Sequence, residues 1–366
     1  MYIWELADWP RFRWDGKALA QPLAAAQVKR DLLLERMERL SFELRREIEV
    51  LTVTEEVLKS AEIEGEALNR ESVRSCVGGR LSVPDAERVP VDRQAEGMVK
   101  MVFDAARNCA VPLTRGRLWT WQAGLLPGGY PGFRSIKTGE WRDDSHGPMQ
   151  IVSGPLGREH VHFQAPPAAR VEAEMTAFLN WFNEPPAMDG IVAAGLAHLW
   201  FVTIHPFEDG NGRIARALTE LVLARSENSP DRFYSLSSQI RRDRADYYDV
   251  LERTEKGDLD VTAWLRWFID CFSRALDAAE QTCAGVLRKA EFWQRHALTA
   301  LNERQRGVLN RFLGDFEGKL TAPKWAALAK CSKATAERDL KDLVDRGLLI
   351  RNPGGSKNTS YSIAVW

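Results

Sequence analysis

The chain is predicted to be mainly α-helical, with one short β-hairpin inside a helical core and a small mixed domain behind it. Three observations carry that expectation. Apolar residues recur at helical spacing through most of the chain, as in Val28, Leu32, Met37, Leu40, Leu44, Ile48 and Leu51. The run from Ile191 to Ile204 contains no charged residue, so it reads as a helix apolar on all sides that must cross the core. Strand-like alternation is confined to two places, Met149 to Phe163 and residues 349–366.

Length and composition bound the function. The 366 residues exceed a usual single domain, and the net charge of −1 disfavours a uniformly basic nucleic-acid binder or an acidic disordered chain. Five cysteines, Cys76, Cys109, Cys271, Cys283 and Cys331, are widely spaced with no Cys-x-x-Cys, which argues against a disulfide framework or a cysteine zinc site and for a reducing cytoplasm. The first residues show no basic segment leading into an apolar run, and no long uncharged apolar stretch marks a membrane span. The expectation is a cytoplasmic protein without a membrane partner.

In chain order, Trp4, Trp9 and Trp14 belong to a short arm expected to dock on the helical body. One long amphipathic helix is expected from about Pro22 to Lys59, so that residues 1–59 form an arm and helical extension. The next residues, Ser60-Ala61-Glu62-Ile63-Glu64-Gly65, place Ser60 and Glu64 on one helical face, and Gly65 permits close approach of another group. Taken alone they look like a solvated helix end. Residues 78–93 read as a loop, and helices are expected at Gln94–Asn108 and Arg115–Leu126. A long Gly- and Pro-rich stretch follows, within which Met149, Gln150, Ile151 and Val152 form a strand candidate that can pair with Val161 to Phe163. A loop of that length in a helical protein is expected to be functional. Helices return at Ala168–Phe182 and Ile191–Ile204, and again beyond residue 212 to about Leu301.

The chemistry concentrates in His205-Pro206-Phe207-Glu208-Asp209-Gly210-Asn211-Gly212-Arg213-Ile214-Ala215-Arg216. Pro206 stops the apolar helix and delivers His205 at its end, while Gly210-Asn211-Gly212 turns into a new helix whose first amides are unsatisfied and favour an anion. Gly210 and Gly212 remove side chains that would hold a phosphate away. Arg213 and Arg216 fall on one side of the first turns, where guanidinium forks suit phosphate oxygens. Asp209 can hold Mg²⁺ whose other ligands are phosphates and water. His205, with an ordinary pKa near 6.5, can take a proton from a hydroxyl at neutral pH. Base, metal ligand and cationic groups together suit phosphoryl or nucleotidyl transfer.

This stretch resembles the signature of the Fic family, His-Pro-Phe-x-(Asp or Glu)-Gly-Asn-Gly-Arg-x-x-Arg, and every fixed position is met. The resemblance covers about Ser60 to Ser273 and implies a helical core that transfers AMP from ATP to a Ser, Thr or Tyr hydroxyl of a protein, the chain itself included. Residues 60–300 are then the core domain. His205 is implied as the base, Asp209 as the Mg²⁺ ligand, and Gly210, Asn211, Gly212, Arg213 and Arg216 as the phosphate site. Met149, Gln150, Ile151, Val152 and Ser153 are similar in position to the family's flap, which holds a target segment by strand addition. Tyr247 and Tyr248 resemble the wall of its adenine pocket. Ser60, Glu64 and Gly65 match an inhibitory motif in which Glu64 would take Arg216 from the γ-phosphate. The alternatives are removal of AMP, with Glu64 orienting a water, and a nucleotide-sensing DNA-binding regulator.

Residues 301–366 resemble a winged helix-turn-helix. Ser332-Lys333-Ala334-Thr335 would open the recognition helix, and Pro353 to Asn358 would form the wing tip. Twelve basic against seven acidic residues make this piece +5, and Lys333, Arg338, Lys341 and Lys357 are candidate phosphate contacts, with Thr335 near base edges. Such domains also dock proteins or mediate homodimers, and DNA binding is the less favoured reading.

Overall fold

The computed structural model describes residues 1–83, 90, 92–129, 136–145, 147–155, 158, 160–184, 187–314, 316, 318–353 and 359–364. The chain is mainly helical with two small antiparallel sheets, and it divides into two compact units, Met1–Glu280 and Gln281–Trp366.

The N-terminal arm docks as its aromatic content predicts. After a short 3-10 turn at Ile3–Glu5, the indole of Trp4 donates to the Gln164 carbonyl at 2.7 Å and that of Trp9 to Glu174 Oε2 at 2.8 Å. The single long helix expected next is two. Helix α1 (Gly16–Glu38) and α2 (Phe42–Ile63) are separated by Arg39, Leu40 and Ser41. The hydroxyl of Ser41 accepts from the Leu44 amide at 3.4 Å. That serine is the signal the apolar spacing conceals, because an N-cap hydroxyl, worth about 1 kcal/mol, starts a helix without disturbing the pattern of its buried face.

Helix α3 (Arg70–Arg80) was not among the sequence expectations; it lies next to α2 in the fold, capped by Asn69, whose Oδ1 accepts from the Ser72 amide at 2.9 Å. Helices α4 (Arg93–Arg107) and α5 (Arg115–Leu125) follow, then the hairpin of β1 (Gln150–Ser153) and β2 (His160–Gln164), with a bulge between Ile151 and Val152. Helix α6 (Ala168–Asn183) leads into α7 (Gly190–Ile204), and α8 (Asn211–Glu227) packs along α7 as its closest helical neighbour. Every residue of α7 from Ile191 to Ile204 is buried, as a charge-free helix requires. Helices α9 (Leu236–Arg242), α10 (Arg244–Glu255) and α11 (Thr262–Arg295) complete the series.

One buried carboxylate fixes the end of α2 relative to this core. Glu56 accepts from the Ser235 hydroxyl at 2.7 Å and the Ser237 amide at 3.0 Å, at the N-terminus of α9 where the helix dipole favours its charge. Two turns further along α2 stands Glu64.

The division between units falls inside α11. The second unit contains α12 (Glu303–Phe312), β3 (Leu320–Thr321), α13 (Ala322–Leu328), α14 (Lys333–Asp345), β4 (Leu349–Arg351) and β5 (Ser360–Ile363), with sheet order β3-β5-β4. Trp325 is fully buried at its centre, its indole donating to Asp339 Oδ2 at 3.1 Å. The fork of Arg304 reaches the same carboxylate at 2.7 and 2.8 Å. Ser332 caps α14 as expected, and Lys333, Arg338 and Lys341 are exposed with Thr335 half-buried. Gly354 to Asn358 of the expected wing tip, Lys357 among them, lie outside the described residues. No helix among the described residues is long and apolar enough to cross a membrane.

Candidate active site

The site is built on the turn that joins α7 to α8. His205 terminates α7 in the left-handed region (φ 51°, ψ 58°), its amide donating to the Phe201 carbonyl at 3.0 Å. That conformation is uncommon for a residue with a Cβ and turns the chain sharply at the end of a rigid element. The ring Nδ1 lies 3.2 Å from the Val202 carbonyl. A carbonyl only accepts, so Nδ1 carries the proton and Nε2 keeps the lone pair. Burial pushes the imidazole down to about 4, with the Val202 carbonyl opposing and the Arg142 charge adding to the shift. At neutral pH the His205 imidazole is therefore uncharged.

Arg142, which was not singled out in the sequence, holds the His205 turn in place. Its backbone amide donates to the Pro206 carbonyl at 2.9 Å, its Nε to the His205 carbonyl at 2.7 Å and its Nη2 to the Pro166 carbonyl at 2.5 Å. Its side chain is 0% exposed and reaches Asp144 at 3.3 Å. One guanidinium thus fastens His205 to the segment that leaves β2. In sequence it stands in Glu140-Trp141-Arg142-Asp143-Asp144, which reads as a solvated charge run; only the neighbouring Trp141, whose ring lies 5.0 Å from that of Phe207, hints at burial.

The loop after His205 is held from within. Asn211 Oδ1 accepts from the Phe207 amide at 3.0 Å and its Nδ2 donates to the Phe207 carbonyl at 2.8 Å, so this side chain clamps the loop. Gly210, at φ 93°, caps α8 in the left-handed region, where a side chain is strained. Asp209 Oδ1 accepts from the Gly210 amide at 2.5 Å and pairs with Arg213 Nη2 at 2.9 Å, while its side chain stays 36% exposed. The first hydrogen bond of α8 is Ile214 to Gly210 at 3.0 Å, so the amides of Asn211, Gly212 and Arg213 lie ahead of the helical ladder.

The end of α2 lies over this cradle. Gly65 (φ 82°) and Glu66 close the helix in a Schellman arrangement, with Glu66 N to Ala61 O at 3.0 Å and Gly65 N to Glu62 O at 3.1 Å. Glu64 consequently points at Gly212: a Cβ on that glycine would stand 2.1 Å from Glu64 Oε1. Arg216, 2% exposed, donates from Nε to Ser60 Oγ at 2.9 Å and from Nη2 to the Ser60 carbonyl at 2.7 Å, and pairs with Glu64 at 2.9 Å. Its buried Nη1 has no partner among the described residues and faces Gly212, 3.2 Å from that same Cβ position. Arg213, 1% exposed, pairs with Glu66 at 2.6 Å, and its buried Nε is also without a partner among the described residues. Glu66 is itself held by Gln94 Nε2 at 2.8 Å, and burial raises its carboxyl above the usual range against the pull of Arg213. Both arginines are thus engaged by carboxylates from one short segment while each keeps a buried donor in reserve. Glu66 was not singled out in sequence, where it looks like one more surface glutamate.

The outer candidates divide. Tyr248 is 37% exposed, with its hydroxyl 3.5 Å from the Ile63 carbonyl, whereas Tyr247 is 3% exposed and packs behind it. The Tyr247 hydroxyl bonds His198 Nε2 at 2.8 Å, and His198 Nδ1 meets the Thr219 hydroxyl at 3.1 Å. In the hairpin, Met149 packs against the cluster of Trp4, Phe163 and Ala165, Gln150 bonds Gln164 at 2.9 Å, and Val152 is 48% exposed. Strand β1 pairs only with β2 among the described residues, which leaves one edge of Gln150, Ile151, Val152 and Ser153 for an added strand. The Arg142 fork on the Pro166 and His205 carbonyls links the end of β2 to the His205 turn, and the Trp4 indole holds the same end through the Gln164 carbonyl.

Parts of this chain are similar to known proteins. Residues 112–223 match the Fic/DOC family, and residues 2–83 match a domain of unknown function (DUF4172). The chain is 37% identical over 123 residues to a protein adenylyltransferase Fic of Nematostella vectensis, a match spanning 32% of this chain and 26% of that protein. It is 35% identical over 105 residues to the same-named protein of Culex quinquefasciatus, covering 28% and 19% respectively. It therefore spans about a quarter or less of the curated relatives it matches. A crystal structure of a Fic family protein from Desulfovibrio desulfuricans G20 superposes with a TM-score of 0.53 at 22% identity, covering 94% of this chain and 96% of that one. A Fic domain containing signaling protein from Bacteroides thetaiotaomicron gives 0.53 at 20% identity, over 72% and 98%. These two likenesses are of fold. Residues 112–223, which hold the His205 turn, Arg213 and Arg216, are thus similar to the Fic/DOC family.

Proposed function

We propose that this chain is a protein adenylyltransferase that moves AMP from ATP to a Ser, Thr or Tyr hydroxyl of a target protein and of itself, restrained by Glu64. The observation that carries the reading is the pairing of a neutral His205 with two buried arginines, each with an N–H that has no partner among the described residues, that of Arg216 facing Gly212. An unmet buried donor is costly unless an anion meets it.

ATP would lay its phosphates along the amides of Asn211, Gly212 and Arg213, with Arg213 and Arg216 on the outer oxygens. Asp209 is the residue that would hold Mg²⁺: it is a hard carboxylate, part exposed, at the mouth of the cradle, and the ion would offset phosphate charge there. His205 Nε2 takes the proton of the target hydroxyl, and the freed oxygen attacks the α-phosphorus. The bond from that phosphorus to the bridging oxygen breaks and pyrophosphate leaves, so that AMP ends as an ester on the target. Arg142, by fixing the His205 carbonyl, keeps the base at the end of α7. The exposed edge of β1 would align the target segment by strand addition.

In the resting chain the Glu64 carboxylate occupies the space above Gly212 and shares Arg216, which leaves the terminal phosphate of ATP without its proper seat. Glu66 draws on Arg213 in the same way. The second compact unit, with its capped α14 and three-stranded sheet, supports a winged-helix reading as a docking or dimer module more than as a DNA reader, since the net charge of residues 301–366 is modest.

Incubation with α-labelled ATP and Mg²⁺ tests the proposal. Label should become protein-bound in the Glu64→Gly variant and be absent from the Glu64→Gly/His205→Ala double variant. Label persisting without His205 would remove the base; no labelling of itself or of any protein in a mixed extract would remove the transferase reading.

A further inference from the structure

Away from the cradle, the hairpin and α10 bring together three side chains of a type that bind metal. His160 and His162 are two apart on β2, so the pleat sends both rings to one face, and their centroids lie 4.6 Å apart. Glu252 comes from α10, a different part of the chain. His162 Nδ1 lies 2.6 Å from Glu252 Oε2, and His160 Nε2 lies 4.0 Å from Glu252 Oε1. One ligand atom from each of the three falls within 4.8 Å of the other two, the one such group of His, Cys, Asp and Glu among the described residues.

These spacings suit a small tetrahedral cation. Bonds of about 2.0–2.1 Å to nitrogen and oxygen put neighbouring donors roughly 3.3 Å apart, and the observed separations of 2.6 and 4.0 Å bracket that value. Two imidazoles with one carboxylate select a borderline cation such as Zn²⁺ over Mg²⁺, which takes oxygen ligands. Three protein ligands leave a fourth position for water, and Ser153 Oγ, 2.6 Å from His162 Nε2 on the paired strand, already orients the second nitrogen of that ring. Packing does not account for His160, whose side chain is 68% exposed. The competing contact is Lys256 with Glu252 at 2.5 Å, but both groups are solvent-accessible (38% and 29%), and an ion pair of that kind yields readily to a divalent cation.

We infer that His160, His162 and Glu252 form a Zn²⁺-class site that clasps the hairpin strand β2 to α10. The clasp would fix the hairpin against the helix that carries Tyr247 and Tyr248. The inference stands independently of the transferase reading, since it concerns binding alone.

Calorimetric titration of the full chain with Zn²⁺ after chelation, repeated with Mg²⁺, tests it. One Zn²⁺ per chain is expected at this site, and excess Mg²⁺ should not compete for it. His160→Ala and Glu252→Gln should each weaken that binding at least tenfold, and Zn²⁺ should raise the unfolding temperature of the wild type but not of His160→Ala. His160 is exposed, so its variant keeps the fold if Glu252→Gln does not. Absence of a one-to-one event overturns the inference, as does an event of unchanged affinity in His160→Ala, which would place the ion elsewhere on the chain.

Discussion

Replacing Glu64 is the perturbation that reads out most of the site at once. The carboxylate makes one charge-assisted contact to Arg216 at 2.9 Å with its side chain 29% exposed, and a contact of that kind is worth about 1.5–3 kcal/mol. At about 1.4 kcal/mol per factor of ten, releasing it should raise ATP-dependent labelling roughly 10- to 100-fold. Arg216 does not lose its place, because Ser60 still receives its Nε at 2.9 Å and its Nη2 at 2.7 Å. The guanidinium does lose its counter-charge, and stranding a buried charge costs on the order of 2 kcal/mol or more. Glu64→Gly and the shape-preserving Glu64→Gln should therefore share a double signature. Without nucleotide they melt several degrees below the wild type, and with ATP they recover most of that difference, because the polyphosphate replaces the lost carboxylate. Initial rates with α-labelled ATP and melting curves with and without ATP check both halves. Equal labelling rates in wild type and both variants, with ATP binding intact, would refute the restraint.

Four further outcomes follow from the same geometry. On the proposed mechanism, in which His205 acts on the hydroxyl and not on the phosphates, His205→Ala should lower the labelling rate about 10²- to 10⁴-fold while leaving equilibrium ATP binding unchanged. Arg142→Lys keeps a charge but lacks the fork that spans the His205 and Pro166 carbonyls, so urea denaturation should show a loss of about 2–4 kcal/mol together with slower labelling. Glu66→Gln removes a negative charge beside Arg213, and ATP should bind about tenfold more tightly by equilibrium dialysis; weaker binding would recast Glu66 as a positioner of that arginine. His198 is fully buried with its imidazole pushed down to about 3 by burial, so the unfolded chain takes up a proton that the folded chain refuses. Its contribution is complete above pH 6.5 and is lost as pH falls toward 3, about 2 kcal/mol being gone by pH 5. Urea midpoints at pH 5 and 7 should differ more in the wild type than in His198→Gln.

What was legible in the sequence follows from how local each interaction is. The α7–α8 turn could be read because its determinants are adjacent: an apolar run, a proline stop, glycines and two arginines three apart. The short hairpin was readable from its flanking Gly-Pro pairs, although the bulge between Ile151 and Val152 was not, since a bulge leaves the alternation nearly intact. Ser41 splitting α1 from α2 was hidden in an unbroken apolar rhythm. Arg142 was beyond reach for a different reason. Its partners are the carbonyls of Pro166 and His205, so nothing in the neighbouring residues distinguishes it from a solvated arginine. Glu66 failed in the same way, because its value comes from Arg213, 147 residues later.

The segment Ser60 to Glu66 joins these two kinds of information. Locally it is a helix end, and its glycine is required by the left-handed closing residue alone, at φ 82°. That closure fixes the direction in which Glu64 and Glu66 leave α2. Glu56, two turns earlier, fixes where α2 ends by sitting on the N-terminus of α9. A helix terminated by Gly65 and anchored by Glu56 therefore has little freedom to withdraw Glu64 by bending, and under the proposed restraint Arg216 would be released by rotation of the Glu64 side chain or by displacement of α2 as a body. The two routes separate experimentally: Glu56→Gln, which loosens the anchor without touching the cradle, should raise labelling several-fold if α2 moves and leave it unchanged if only the side chain does.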